Sequence, residues 1–238
     1  MDQRPALVPH DAARALLAAA LRGVDDGGPR ATLAGMDARA LAAALPADAD
    51  RLAFWMNVYN AAVRIRLAHD PALYRRRLRF FSSTAIVVAG RSLSPNAIEM
   101  GILRRSAFVA GFGYVRNPLP GRFERLQRVR RVDPRIHFAL DCGARSCPPV
   151  RAWDPATLDA DLDAATGAYL RATTGMDTDG RTLVVSPLLL WYRGDFGGRA
   201  GVVTLLRRHR LLADGPRPRI RHGAYDWTLD LGTDAGGD

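Results

Sequence analysis

A chain of 238 residues with 48% hydrophobic and 24% charged content can bury a substantial core and is too apolar to be a disordered protein. The net charge of +10 would suit a nucleic-acid partner, but all 34 basic residues are arginines, and runs such as residues 75–77 are scattered and lack interleaved aromatics. The excess reads as GC-biased codon usage, and nucleic-acid binding is not expected. No stretch approaches the roughly 18 apolar residues of a membrane span, and no secretory leader pattern opens the chain, so no membrane partner and a cytoplasmic location are expected.

The N-terminal part reads as helices, with Leu16, Leu17, Ala20 and Leu21 at helical spacing and a stop at Gly23. A second short helix spans about residues 37–45. The segment 48–67 is the most informative: Leu52, Trp55, Met56, Tyr59 and Val63 form an apolar stripe, and Phe54, Val58 and Ile65 widen it, which predicts a mostly buried helix. Asn57, Asn60 and Arg64 then share one narrow polar strip. Buried amides must find partners, so this strip either braces a loop or lines a polar pocket.

Residues 85–89 read as a short strand, and Ser94-Pro95 as a helix start that carries Ile98 and Ile102 inward. Glu99 lies among apolar neighbours there. It is either a buried carboxyl with a raised pKa or a surface partner of an arginine. After a loop at Pro118, Pro120 and Gly121, residues 135–140 read as a strand, with His137 and Ala139 alternating against Ile136, Phe138 and Leu140. Asp154-Pro155 opens a helix whose inward stripe is Leu158, Leu162, Ala165 and Tyr169. Asp159, Asp161 and Asp163 fan around it and suggest no metal site. Residues 182–185 predict a strand, Ser186-Pro187 a helix through Trp191, residues 202–209 another helix, and residues 225–231 a last strand before a Gly-rich end that frays from Gly232.

The expected fold is α+β: a single mixed domain, helix-rich with a small central sheet, compatible with a cysteine-peptidase-like layout. Its expected organisation is N-terminal helices over residues 1–47 packed on a main domain of residues 48–231, with a disordered tail over residues 232–238. No regular βαβ repeat or phosphate-cradling glycine motif occurs, and no cofactor is expected.

Cys142 and Cys147 are the only cysteines, and with His137 they are spaced His-x4-Cys-x4-Cys. Two cysteines make no disulfide framework in a chain of this size. Three chemistries fit the cluster: a thiolate nucleophile activated by His137 and oriented through Glu99, Asn57 or Asp195; zinc held by the imidazole and both thiols, without the usual knuckle spacing; and a reversible disulfide. Against them stands the reading of the cysteines as small apolar fillers and His137 as a core imidazole.

Five blocks, residues 54–61, 98–104, 133–149, 191–197 and 225–227, resemble in order the signature blocks of the domain-of-unknown-function 547 family, and together span residues 54–231. The longest runs from Asp133 through His137, Cys142 and Cys147 to Pro149. The resemblance implies a family found alone in bacteria and joined elsewhere to glutaredoxin-like or coiled-coil regions, without a settled activity. This chain departs from the pattern at Asp141, where asparagine is usual, and at Met100, where histidine commonly follows the glutamate.

The expected function is a cysteine-dependent hydrolase or transferase. Cys142 or Cys147 would be the nucleophile, His137 the base and Glu99 a further catalytic group. Asn57, Asn60, Arg145, Tyr192 and Asp195 would bind a small-molecule or peptide substrate. The glutaredoxin association suggests glutathione as that substrate, by analogy. The alternatives are a non-catalytic protein-interaction module and a metal-dependent enzyme using His137, Cys142 and Cys147.

Overall fold

The apolar residues of the sequence collect around one long helix. In the computed structural model, which describes residues 9–215 and 218–230, α1 (Pro9–Arg22), α2 (Gly27–Ala34) and α3 (Ala38–Ala44) precede α4 (Asp48–His69). Leu52, Trp55, Met56, Tyr59 and Val63 of α4 are buried as their spacing predicts, and so are Phe54, Val58 and Ile65 on its other sides. Leu16 and Leu17 of α1 join the same core. At roughly 25 cal/mol per Å2 of apolar surface removed from water, such a helix is held mainly by packing rather than by intrinsic propensity.

A 3-10 turn (Pro71–Arg76) leads into α5 (Arg77–Ser82), and the hairpin β1 (Ile86–Val88) and β2 (Arg91–Leu93) follows. Next come a π-helical segment (Ala97–Leu103), α6 (Arg122–Gln127), a 3-10 helix (Pro134–Phe138), α7 (Leu158–Thr173), β3 (Gly175–Met176), β4 (Thr182–Val185), α8 (Leu188–Trp191), α9 (Gly198–Arg208) and β5 (Arg219–His222). β4 pairs antiparallel with β3 and parallel with β5, so the fold is α+β, helix-rich with little sheet. A second apolar cluster gathers Tyr169 and Leu170 of α7, Leu183 and Val185 of β4, Leu188 and Leu189 of α8, and Leu206 of α9. No described helix is long and apolar enough to cross a membrane.

Two expected strands are absent among the described residues. Residues 134–138 are a 3-10 helix because Asp133 caps it, accepting a hydrogen bond from the Arg135 amide, and Pro134 sits at its first turn. Residues 225–230 do alternate, with Tyr225, Trp227 and Leu229 half-buried and the residues between them exposed. Their only ladder contact is a single bridge between Ala144 and Leu229, and the strand forms earlier, at β5. The Arg145 and Ser146 amides donate to the Thr228 and Asp226 carbonyls and the Asp230 amide to the Gly143 carbonyl, so the segment is an extended strap bonded along residues 143–146 without the regular ladder of a strand. The frayed end expected from Gly232 lies outside the described residues.

Candidate functional site

The two cores meet along residues 134–142, where Ile136, Ala139 and Leu140 face the first and Phe138 the second. The polar strip of α4 holds this segment in place. Asn60 Nδ2 donates to the Ala139 carbonyl at 3.1 Å, and its Oδ1 accepts from the Asp141 amide at 2.9 Å. Asn57 clamps the backbone of Trp153 in the same two-ended way, at 2.8 and 2.9 Å, and Arg64 pairs with Asp141 at 2.7 Å. The strip braces loops.

At the seam a cavity of about 250 Å3 opens, with Tyr59 and Leu140 on one side and Leu188, Trp191, Tyr192 and Tyr225 on the other. Glu99 enters its wall through the π-helical segment. The Arg104 amide donates to the Glu99 carbonyl at 2.7 Å, and the Ser106 amide to Gly101 at 2.9 Å, each five residues back. Residues five apart face well away from each other on an α-helix. The wider turn instead brings Arg104 Nη1 to 4.0 Å from Glu99 Oε1, and turns of this kind recur at functional sites.

The Glu99 carboxyl is buried. The Tyr59 hydroxyl donates to its Oε2 at 3.5 Å, the Tyr192 hydroxyl is a second donor, and Oε1 has no close hydrogen-bond partner among the described residues. Burial pushes this carboxyl above the usual range, and Arg104 with the two hydroxyls offsets that only in part. Burial likewise drives the hydroxyls of Tyr59 and Tyr192 well above ordinary tyrosine, with the Glu99 carboxylate adding to it, so both stay protonated donors.

Behind Glu99 lies a buried charge relay of fixed geometry. Asp195 Oδ2 accepts from Arg104 Nε at 2.6 Å and from His137 Nε2 at 3.0 Å, while Oδ1 accepts from Arg116 Nη2 at 3.4 Å. Burial alone would raise Asp195, but the His137 hydrogen bond and the Arg104 charge outweigh it and hold the carboxyl below its ordinary value. Asp195 can sit here because two backbones touch beside it. A Cβ on Gly194 would stand 2.6 Å from the Gly113 carbonyl carbon, and one on Gly113 would stand 2.6 Å from the Asp195 nitrogen.

His137 stacks on Tyr192 with ring centroids 3.7 Å apart, and burial lowers its pKa to about 4. It is therefore neutral near pH 7, with the tautomer that donates from Nε2 to Asp195 assigned from this network. Its Nε2 faces no sulfur.

Cys142 and Cys147 are joined in a disulfide that edges the cavity. This overturns the expected cysteine nucleophile, and with it the hydrolase and free-thiol readings, because a sulfur without a thiolate cannot attack. The zinc reading fails as well, since among the described residues no group of three His, Cys, Asp or Glu side chains is placed to hold a metal ion. The cysteine-peptidase-like layout loses its nucleophile. The loop closes at Gly143, whose φ of +81° and lack of a Cβ leave room for Leu67, 2.6 Å from where a Cβ would be. The Tyr225 hydroxyl lies 3.3 and 3.2 Å from the two sulfurs.

Of the residues singled out in the sequence, Glu99, His137, Tyr192 and the cystine line one cavity, with Asp195 behind them. Asn57 and Asn60 are buried braces, and Arg145 is an exposed partner of Asp226 and Asp230. Tyr59, Arg104 and Arg77 were missed. Tyr59 lay within an apolar stripe, Arg104 meets Glu99 only through the π turn, and Arg77 was one arginine among many.

Fold and site together define an α+β protein with an aromatic, cystine-edged pocket that carries a buried carboxyl in its wall. The family model described as "Protein of unknown function, DUF547" matches residues 43–170, more than half of the chain, and the chain belongs to that family. Searches of the curated proteins and of the solved structures found no match.

Proposed function

We propose that this chain is an enzyme that moves a proton on a small, mainly hydrocarbon substrate, with Glu99 as the acid–base group. The observation that carries the reading is the Glu99 carboxyl itself, buried in the wall of an aromatic cavity with Oε1 lacking a close partner among the described residues. Burial that lifts a carboxyl toward neutrality is how a glutamate becomes a proton donor and acceptor under physiological conditions. Tyr59 and Tyr192 fix the carboxyl by their hydroxyls, and the Arg104–Asp195–His137 chain fixes Arg104 and Tyr192. His137 is a positioning residue, since its Nε2 is committed to Asp195. The class of chemistry is proton abstraction and return within one ligand, as in an isomerisation. It needs no redox partner and consumes no water.

A glutathione-sized peptide suits this cavity poorly, because two carboxylates and an amine would face mainly aromatic and aliphatic walls. Reaction with an apolar carbodiimide at pH 7, mapped by peptide mass spectrometry, tests the reading. The reagent attacks protonated carboxyls in apolar sites, so we expect Glu99 as the dominant adduct and its loss in Glu99→Gln. Labelling spread over surface aspartates with Glu99 spared would refute it.

A cytoplasmic location remains part of the proposal, on the condition that the Cys142–Cys147 bond survives a reducing compartment, where most disulfides do not persist. Acid quenching and alkylation of expressing cells should then leave both cysteines unlabelled. Full labelling of both would move the oxidised protein to another compartment.

A further inference from the structure

At the mouth of the cavity one cation stands ready without an anion. Arg77, the first residue of α5, lines the pocket with its guanidinium carbon 4.8 Å above the Trp227 ring, and it is ion-paired to no carboxylate among the described residues. An indole face attracts the guanidinium placed over it, and the N–H donors, ion-paired to no carboxylate among the described residues, suit the fork of a carboxylate. Among the described residues no second arginine lines the cavity, since Arg104 lies behind the wall, paired with Asp195 and 4.0 Å from Glu99. Trp227 in turn packs on Tyr225 and Trp191, with ring centroids 4.7 and 5.8 Å away, so ring faces lie directly inward of the cation.

The rim adds a second constraint. Leu78 and Val109, on opposite flanking segments, line the same mouth and are 83% and 59% exposed. Exposed apolar groups around an apolar cavity gain by being covered, so the occupant has a hydrocarbon body. The volume of about 250 Å3 exceeds the roughly 150 Å3 that holds benzene in an engineered cavity, and so admits one ring with a short side chain.

We infer that the pocket binds a small aryl or aryl-alkyl carboxylate, with the carboxylate on Arg77, the ring against Trp191, Tyr225 and Trp227, and the reacting end toward Glu99. Arg77 is then the residue that selects anionic ligands. The inference deepens the acid–base reading of this pocket and rests on it for which end reacts, though not for binding. Arg75, Arg76 and Arg79, exposed on the same segment, add a positive field that draws anions to this face.

The test uses 4-phenylbutanoate and its neutral amide as probes, followed by the indole N–H signals of the four tryptophans of the full chain. Trp55 and Trp153 are fully buried in the first core, so a ligand in the pocket shifts Trp191 and Trp227 alone. The acid is expected to bind about tenfold more tightly than the amide, as a charge-assisted pair contributes. Arg77→Gln should abolish that preference, Arg77→Lys should retain part of it, and Glu99→Gln should leave it intact. Equal binding of acid and amide, a preference that survives Arg77→Gln, or no shift of Trp191 and Trp227 with either probe would overturn the inference. A preserved acid preference alongside a Glu99 that fails the carbodiimide test would overturn the proton-transfer reading and leave the ligand class standing.

Discussion

At the scale of single residues the site is a set of opposed pKa shifts. Burial is the largest cause at both His137 and Glu99, and it acts in opposite senses on the two proton equilibria because it always disfavours the charged form. For His137 the folded value, about 4, lies below the ordinary 6.5, so the unfolded chain takes up the proton first as pH falls. Stability present above pH 6.5 is lost as pH falls through that window to about 4, at most about 3 kcal/mol. Urea unfolding at pH 7 and pH 4.5 should show this loss in the native chain and a smaller one in His137→Asn. Glu99 works the other way: stability is fully present below its unfolded value and is lost as pH rises through the raised folded value. Glu99→Gln, which keeps the shape and removes the ionisation, should therefore gain on the native chain as pH increases from 4 to 8. Asp195 answers both Arg104 and His137, with its side chain and that of Arg104 sealed from water. Asp195→Ala leaves the buried Arg104 without its hydrogen-bonded carboxylate and with only Glu99, 4.0 Å away, as a counter-group, at a cost of about 3–5 kcal/mol in urea unfolding.

Elements place these residues, and they were legible to different degrees. α4 was readable throughout, because apolar residues on several sides and a strip of amides have no stable place except in a buried helix with something to brace. What the amides brace was not readable, since Trp153 and Ala139 are 96 and 79 residues away in sequence. Asn60→Ala removes hydrogen bonds to two buried backbone groups and should destabilise by about 2–4 kcal/mol, measured by thermal or urea unfolding. The π-helical segment was read as an ordinary helix; its start at Ser94 and Pro95 is visible, but the extra residue in its turn leaves no compositional mark, and so the Glu99–Arg104 pairing stayed hidden. Residues 134–138 show the reverse failure. An alternating pattern was read as a strand across a capped Asp-Pro start that the alternation outweighed. The spacing of Cys142 and Cys147 admitted a disulfide but did not choose it, because the choice depends on the backbone turn at Gly143. Opening this short loop in a Cys142→Ser/Cys147→Ser chain should cost about 2 kcal/mol in chemical denaturation, with the Tyr225 strap the first region to gain hydrogen exchange.

On the scale of the whole molecule, two cores share one seam, and the pocket is what remains where they do not interdigitate. That origin explains why its walls are aromatic and why its few polar groups are so well defined: each is the end of a network rooted in one core or the other. Tyr59 comes from the first, while Tyr192 packs against the second. The overall α+β composition and the order of the family's blocks could be taken from the sequence, whereas the seam, being a relation between distant segments, could not. The cystine, the expected centre of the chemistry, turns out to be the pocket's edge.

The chain contains only two glutamates, Glu99 and Glu124, so selective carboxyl-carbon labelling gives two titrating signals, and Glu99→Gln identifies one of them. We predict that the Glu99 signal titrates clearly above the roughly 4.3 of a glutamate in a peptide. A Glu99 signal that titrates at or below that value would contradict its role as the proton carrier of this pocket.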